Sequence, residues 1–205
     1  MFYLNTVDKN TLAIFSAICT NKLLDHFFLA GGTALALQLG HRKSIDLDFF
    51  STSSFETEEI KSVITELGEI EIINQASNTL QTFIGKVKVD FLSHQYPSIK
   101  PLITYDEFRL AAIEDIIAMK LNAINNRGAK KDFYDLYYLL KSFNIEFMLS
   151  LYESKYKNHN TMQLLKSLLY FEDAEEQPEP ILINDKVNWR EVKLKVTECV
   201  NKHLL

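Results

Sequence analysis

The sequence predicts an α+β protein in two parts: an N-terminal α/β domain over residues 1–108, with a small mixed sheet and flanking helices, and a helical bundle over residues 109–205. Three observations predict it. Short apolar runs broken by glycine or asparagine turns are confined to the first half. From Ile113 onward the apolar spacing is almost wholly helical. Between the two, Pro97 and Pro101 mark a change of texture.

Residues 8–24 carry Leu12, Ile14, Phe15, Ile18 and Cys19 at helical spacing, an amphipathic helix. His26 to Ala30 is a short apolar run that stops at Gly31-Gly32, a buried strand ending in a tight turn. Residues 33–39 are strong helix formers, and Gly40 is a natural stop. Ile45 to Phe50 reads as a second strand, with Ile45, Leu47 and Phe49 expected in the core. Residues 55–67 read as a helix, with Ser54 or Thr57 as N-cap and Glu58-Glu59 suiting its first turn. Strands follow at 70–74, 80–84 and 87–92, with turns at Ser77-Asn78 and Gly85-Lys86. Helices are expected near 114–126, 130–142, 145–157, 161–171 and 188–203, the last capped by Asn188. The acidic, proline-containing stretch 172–185 reads as a loop.

Composition narrows the function classes. The length of 205 residues fits one large domain or two small ones sharing an interface. No apolar run approaches the ~20 residues needed to span a bilayer. The N-terminus lacks a basic region and a small-residue cleavage site, so a cytoplasmic protein without membrane association is expected. Cys19 and Cys199 are too isolated for a disulfide framework or a zinc site. A net charge of −5 argues against coating nucleic acid by wholesale phosphate neutralisation. It leaves room for a local basic surface, because Glu172, Asp173, Glu175, Glu176 and Glu179 crowd into one stretch.

The chemistry concentrates in Gly31-Gly32-Thr33 and Arg42-Lys43-Ser44-Ile45-Asp46-Leu47-Asp48. On a strand, residues i and i+2 share a face, so Asp46 and Asp48 are expected side by side. Like charges so close need a positive neutraliser, and a divalent cation such as Mg²⁺ or Mn²⁺ prefers carboxylate oxygens. Two-metal phosphoryl chemistry calls for a third acid. Asp90 is the candidate, on a strand face shared with Lys86 and Lys88. Gly31-Gly32 would let the backbone approach a phosphate, and the following helix offers free N–H groups. Thr33 would add a hydroxyl to the phosphates or cap that helix. Arg42 and Lys43 fit triphosphate binding or an ordinary surface loop equally well.

The order strand, Gly-Gly-Thr, helix, basic loop, Asp-x-Asp strand and a hairpin strand with a further Asp resembles the polymerase β nucleotidyltransferase signature. Together with Lys131-Asp132-Phe133-Tyr134-Asp135-Leu136, these segments resemble the AbiEii-type nucleotidyltransferase toxins of type IV toxin–antitoxin and abortive-infection (phage defence) systems. The resemblance covers residues 25–142. It implies an NTP substrate, a metal site at Asp46, Asp48 and Asp90, and nucleotide-binding roles for Gly31, Gly32, Thr33, Arg42 and Ser44. It further implies catalytic roles for Lys120, Asp132 and Asp135, transfer to an acceptor such as the 3′ end of tRNA or another RNA, and a cognate antitoxin. The wider superfamily often has Gly-Ser where this chain has Gly-Gly-Thr, which leaves open which hydroxyl meets the phosphates.

Local chemistry offers alternatives for the later residues. Asp132 suits the first turn of its helix through the dipole. Asp135 has Arg127, Lys130 and Lys131 as possible partners. Arg127, Lys130, Lys131 and Lys141 would form either an RNA-facing basic group or a solvated helix face. Phe133, Tyr134, Tyr137 and Tyr138 fit helix packing better than base stacking. Two rivals to nucleotidyl transfer onto RNA are the same transfer onto a protein or small molecule, and a catalytically silent binding module.

Overall fold

A computed structural model describes residues 2–204; Met1 and Leu205, the outermost residues of the two expected parts, lie outside them. The fold is α+β. The chain forms two compact units that part between Ala112 and Ile113.

In the first unit, α1 (Lys9–Thr20) starts where Asp8 Oδ1 accepts the N–H groups of Asn10 (2.9 Å) and Thr11 (3.1 Å). A seven-stranded mixed sheet follows: β1 (Phe28–Ala30), β2 (Leu47–Ser51), β3 (Ile70–Ala76), β4 (Thr79–Ile84), β5 (Val87–Ser93), β6 (Ile103–Tyr105) and β7 (Phe108–Leu110). Their order across the sheet is β3-β4-β5-β2-β1-β7-β6. The central pairs β2–β5 and β1–β7 are parallel, and β1–β2 is antiparallel. The two three-residue strands β6 and β7 are a departure from expectation. Runs that short show no readable periodicity, and their turn is made by Asp106 at φ +50°.

Two helices lie between the strands, α2 (Gly31–Leu39) and α3 (Thr57–Ile64). Thr33 to Leu37 are all buried, so α2 is an interior helix. Gly40 stops it in the left-handed conformation, donating its N–H to Ala36 O at 2.8 Å. The α3 cap is Glu56, without a side-chain bond, rather than Ser54 or Thr57. Gln75 on β3 holds the Thr57 hydroxyl instead, at 2.8 Å.

On one face of the sheet the aromatic core collects Phe15, Phe27, Phe49, Phe91 and Phe108. Phe49 and Phe91 stack at 5.3 Å, and Phe15 and Phe108 at 4.5 Å. Each such ring contributes about 1.5–3 kcal/mol on burial. Ile45 does not join them. It is 64 % exposed, because β2 begins only at Leu47 and the preceding loop does not continue the pleat.

The second unit is helical: α4 (Ile113–Arg127), α5 (Lys130–Leu139), α6 (Ile145–Lys155), α7 (Thr161–Leu168), α8 (Glu172–Glu175) and α9 (Trp189–Leu204). α4 packs against α5, α6 and α7. Trp189 anchors α9 among Phe133, Tyr134 and Phe171, with centroids 5.7–6.0 Å away. Asn188 and Glu191 close a capping box, each side chain accepting the other's backbone N–H at 3.0 and 2.8 Å. The short α8 stands inside the stretch expected to be a loop.

Candidate active site

β1 runs directly into α2, so Gly31-Gly32 is the first turn of the helix rather than a separate turn before it. Ala30 is the cap residue and has no side-chain acceptor to offer the first N–H groups. Gly31 sits at φ +67°, and a Cβ placed there would lie 2.5 Å from Asp48 Oδ2. A Cβ on Gly32 would collide with the Arg42 guanidinium. Both glycines therefore exist to let a carboxylate and a guanidinium close on the backbone.

The loop before β2 is tied down from inside. Thr33 Oγ1, 1 % exposed, donates to the Asp46 carbonyl and lies 2.8 Å from Ser44 Oγ. Ser44 N donates to Thr6 O at 3.0 Å. Arg42 is buried and donates to Lys43 O at 2.9 Å. Thr33 and Ser44 thus form a clasp that sets where Asp46 leaves the loop, and Ser44 reaches no solvent-facing position.

Strand register does the rest. Ala30 pairs with Asp48, Asp48 with Asp90, Asp90 with Gln81, and Gln81 with Asn74. Cross-strand partners project to the same face, so these side chains form one row from β1 to β3. Its face is opposite the Phe49–Phe91 stack. Two adjacent carboxylates on neighbouring strands repel unless cations intervene. Lys88, two residues before Asp90, supplies one, with Nζ 2.6 Å from Asp90 Oδ2. Gln81 Nε2 donates to the same oxygen at 2.9 Å. Asp90 Oδ1 is buried and has no hydrogen-bond partner. A buried carboxylate oxygen without a donor is costly, and its chemistry fits a ligand for a divalent cation.

The donor set is all carboxylate oxygen, suited to a hard divalent ion. Among the described residues, no group of three or more His, Cys, Asp or Glu side chains is placed to hold a metal ion. The structure instead supplies Asp48 and Asp90 in register, with half-exposed Asp46 two residues before Asp48.

In the second unit Lys120, Asp132 and Asp135 come together. Lys120 Nζ lies 2.8 Å from Asp132 Oδ1 and 2.6 Å from Asp135 Oδ2, and all three are almost fully buried. Arg127 Nε adds a contact of 3.0 Å to Asp132 Oδ2. Two cations thus meet two carboxylates in a cluster joining α4 to α5. Burial works against ionisation of Asp132, but the Lys120 and Arg127 charges overcome it and hold its carboxyl below the usual range.

Of the four basic residues considered as a group near residue 127, only Lys130 is withdrawn from solvent. Arg127 turns to Asp132, and Lys130 is buried with Nζ on Glu175 O at 2.8 Å. Lys141 pairs with Asp185 at 3.0 Å, and Lys131 is exposed. Phe133 and Tyr134 are packed against Trp189, as helix-packing residues should be. Gln81 and Asn74 escaped the sequence. Alternation on β4 marks Gln81 as outward-facing, but nothing local says that β4 pairs with the strand of Asp90.

The family described as nucleotidyl transferase AbiEii toxin of type IV toxin–antitoxin systems matches residues 13–202. An uncharacterized protein of Aquifex aeolicus is 34 % identical over 188 residues, covering 89 % of this chain and 90 % of its own. Among solved structures, MenT4, a nucleotidyltransferase toxin of Mycobacterium tuberculosis, is similar at TM-score 0.60. It is 17 % identical, with 94 % of this chain and 82 % of that one covered. JHP933 of Helicobacter pylori is similar at TM-score 0.57 and 22 % identity, covering 95 % and 88 %. With the match running through both the carboxylate row and the Lys120 cluster, this chain belongs to the AbiEii nucleotidyltransferase toxin family.

Proposed function

We propose that the protein transfers a nucleoside monophosphate from an NTP to the 3′ hydroxyl of an RNA acceptor, tRNA first among them, and that a cognate antitoxin restrains it. The observation that carries this is Asp90 Oδ1: buried, donor-free, and in register beside Asp48 next to the Gly31 turn. Asp46, Asp48 and Asp90 would hold Mg²⁺ or Mn²⁺. A divalent ion there supplies stabilisation of both the attacking and the leaving oxygen. The Gly31-Gly32 turn and the α2 N–H groups receive phosphate oxygens, and Arg42, beside Gly32, adds positive charge. The acceptor oxygen bonds to the α-phosphorus, the bond from that phosphorus to the bridging oxygen breaks, and pyrophosphate leaves. The hydroxyl proton passes to solvent water. Thr33 and Ser44 position Asp46. The Lys120–Asp132–Asp135 cluster fixes α4 against α5.

The test is labelled nucleotide incorporation with each of the four NTPs, Mg²⁺ and total tRNA. A labelled RNA band is expected, lost in Asp48→Asn by more than the roughly 10–100-fold that removing an outer-shell partner costs. Expression of the wild type should arrest growth, and expression of Asp48→Asn should not. A labelled protein band in place of RNA would redirect the acceptor. No label with any acceptor would end the proposal.

A further inference from the structure

The row of side chains across the sheet does not stop at the two carboxylates. Asp90 is flanked on one side by Asp48 and on the other by Gln81, its partner on β4. Gln81 Nε2 donates to Asp90 Oδ2 at 2.9 Å, while Asn74 Nδ2 on β3 donates to Gln81 Oε1 at 3.2 Å. The orientation of the Gln81 amide follows from chemistry. An ionised carboxylate only accepts, so the Gln81 nitrogen must face Asp90 and its oxygen must face Asn74. Lys88 meets the same Asp90 oxygen at 2.6 Å. Both donors converge on Oδ2, and Oδ1 is the oxygen left over.

We infer that Gln81 is a positioning residue, oriented by Asn74, that locks one oxygen of Asp90 and leaves the other as the metal ligand. The inference rests on the nucleotidyltransferase reading of the carboxylate row. A carboxylate free to rotate about its terminal torsion presents either oxygen, and that torsion is broad. Lys88 alone does not hold it, because an ammonium on a flexible four-carbon stem follows the carboxylate wherever it turns. An amide on the adjacent strand, itself pinned by Asn74, cannot follow. It fixes the plane of the Asp90 carboxylate relative to the sheet and hence relative to Asp48. β3 lies at the sheet edge and Asn74 is exposed, so a surface residue two strands away sets the geometry of a buried ligand.

The experiment measures Mn²⁺ alone, bound to nucleotide-free full-length protein and followed by the electron paramagnetic resonance of the free ion. Gln81→Met keeps the volume and removes the donor. It should keep the wild-type melting temperature within a few degrees while the Mn²⁺ dissociation constant rises roughly tenfold or more. Asn74→Ala should raise it by less. The double variant should match Gln81→Met, since Asn74 acts only through Gln81. Wild-type affinity in Gln81→Met, or additive losses in the double variant, would overturn the inference.

Asp48→Asn separates the two levels. If it loses Mn²⁺ and Gln81→Met does not, the positioning role fails and the site stands. If neither wild type nor Asp48→Asn binds Mn²⁺, the metal site fails and takes the inference with it.

Discussion

Gly31 is held at φ +67° with the Asp48 carboxylate lying where a side chain would begin. Gly31→Ala therefore meets two penalties. The left-handed conformation costs about 1–2 kcal/mol for a residue with a Cβ, and the methyl collides with Asp48 Oδ2. We expect soluble protein with a lowered melting temperature and a loss of nucleotide incorporation larger than the loss of folded fraction. Unchanged incorporation in that variant would show that the contact between Gly31 and Asp48 has no catalytic consequence. The same scale shows how far single residues were legible. Asp46, Asp48 and Asp90 stand out because carboxylates among apolar strand neighbours are unusual company. The resemblance implies nucleotide-binding roles for Thr33 and Ser44, and local chemistry also allows Thr33 to cap α2; the structure turns the two hydroxyls inward onto each other. Hydroxyls satisfy backbone or ligand equally well, and only the fold decides which is nearer.

At the scale of elements, helix ends carry their own signals. The Asn188–Glu191 box at the start of α9 is such a signal, readable because both partners lie within one turn. Asn188→Ala should cost about 1 kcal/mol, measured by urea unfolding, with nucleotide incorporation per folded molecule unchanged. A cost indistinguishable from zero would mean that Trp189 packing alone sets the start of α9. The cap of α3 went the other way. Thr57 looked available, but Gln75 on the neighbouring β3 takes its hydroxyl, a competition invisible along the chain. β6 and β7 are not legible along the chain: each is a single apolar–polar–apolar triplet outside the kind of apolar run that marks β1, and it is a strand only through its neighbours. β7 is a strand since it lies parallel to β1, and the bond from Ala111 N to Leu29 O at 2.8 Å ties the chain beyond it to the sheet.

For the whole molecule, acid is the informative variable. Asp132 has its carboxyl held low against burial by Lys120 and Arg127. Asp8 and Asp185 are held low by their hydrogen bonds to Thr11 and Lys141. A carboxylate depressed in the folded state contributes stability that is present above its ordinary value of 3.8 and lost as pH falls through the folded value. The urea midpoint should therefore fall as pH drops from near 5 toward 3. Asp132→Asn should be less stable at neutral pH, since it leaves Lys120 and Arg127 with fewer partners, and should fall less steeply in acid. Parallel acid profiles for the two proteins would rule out the Lys120 cluster as a source of acid sensitivity.

The sequence by itself determined the fold class, the longer helices of the second unit, the candidate acids and the family resemblance. Each of these is written in local order: periodicity, caps, and residue types at short spacing. Only the tertiary structure decided that Asp48 and Asp90 are register partners. It also decided that Gln81 and Asn74 continue their row, and that Asp132 and Asp135 share Lys120. Strand pairing and ion-pair choice depend on which distant segments the apolar core brings together, and no spacing along the chain encodes that.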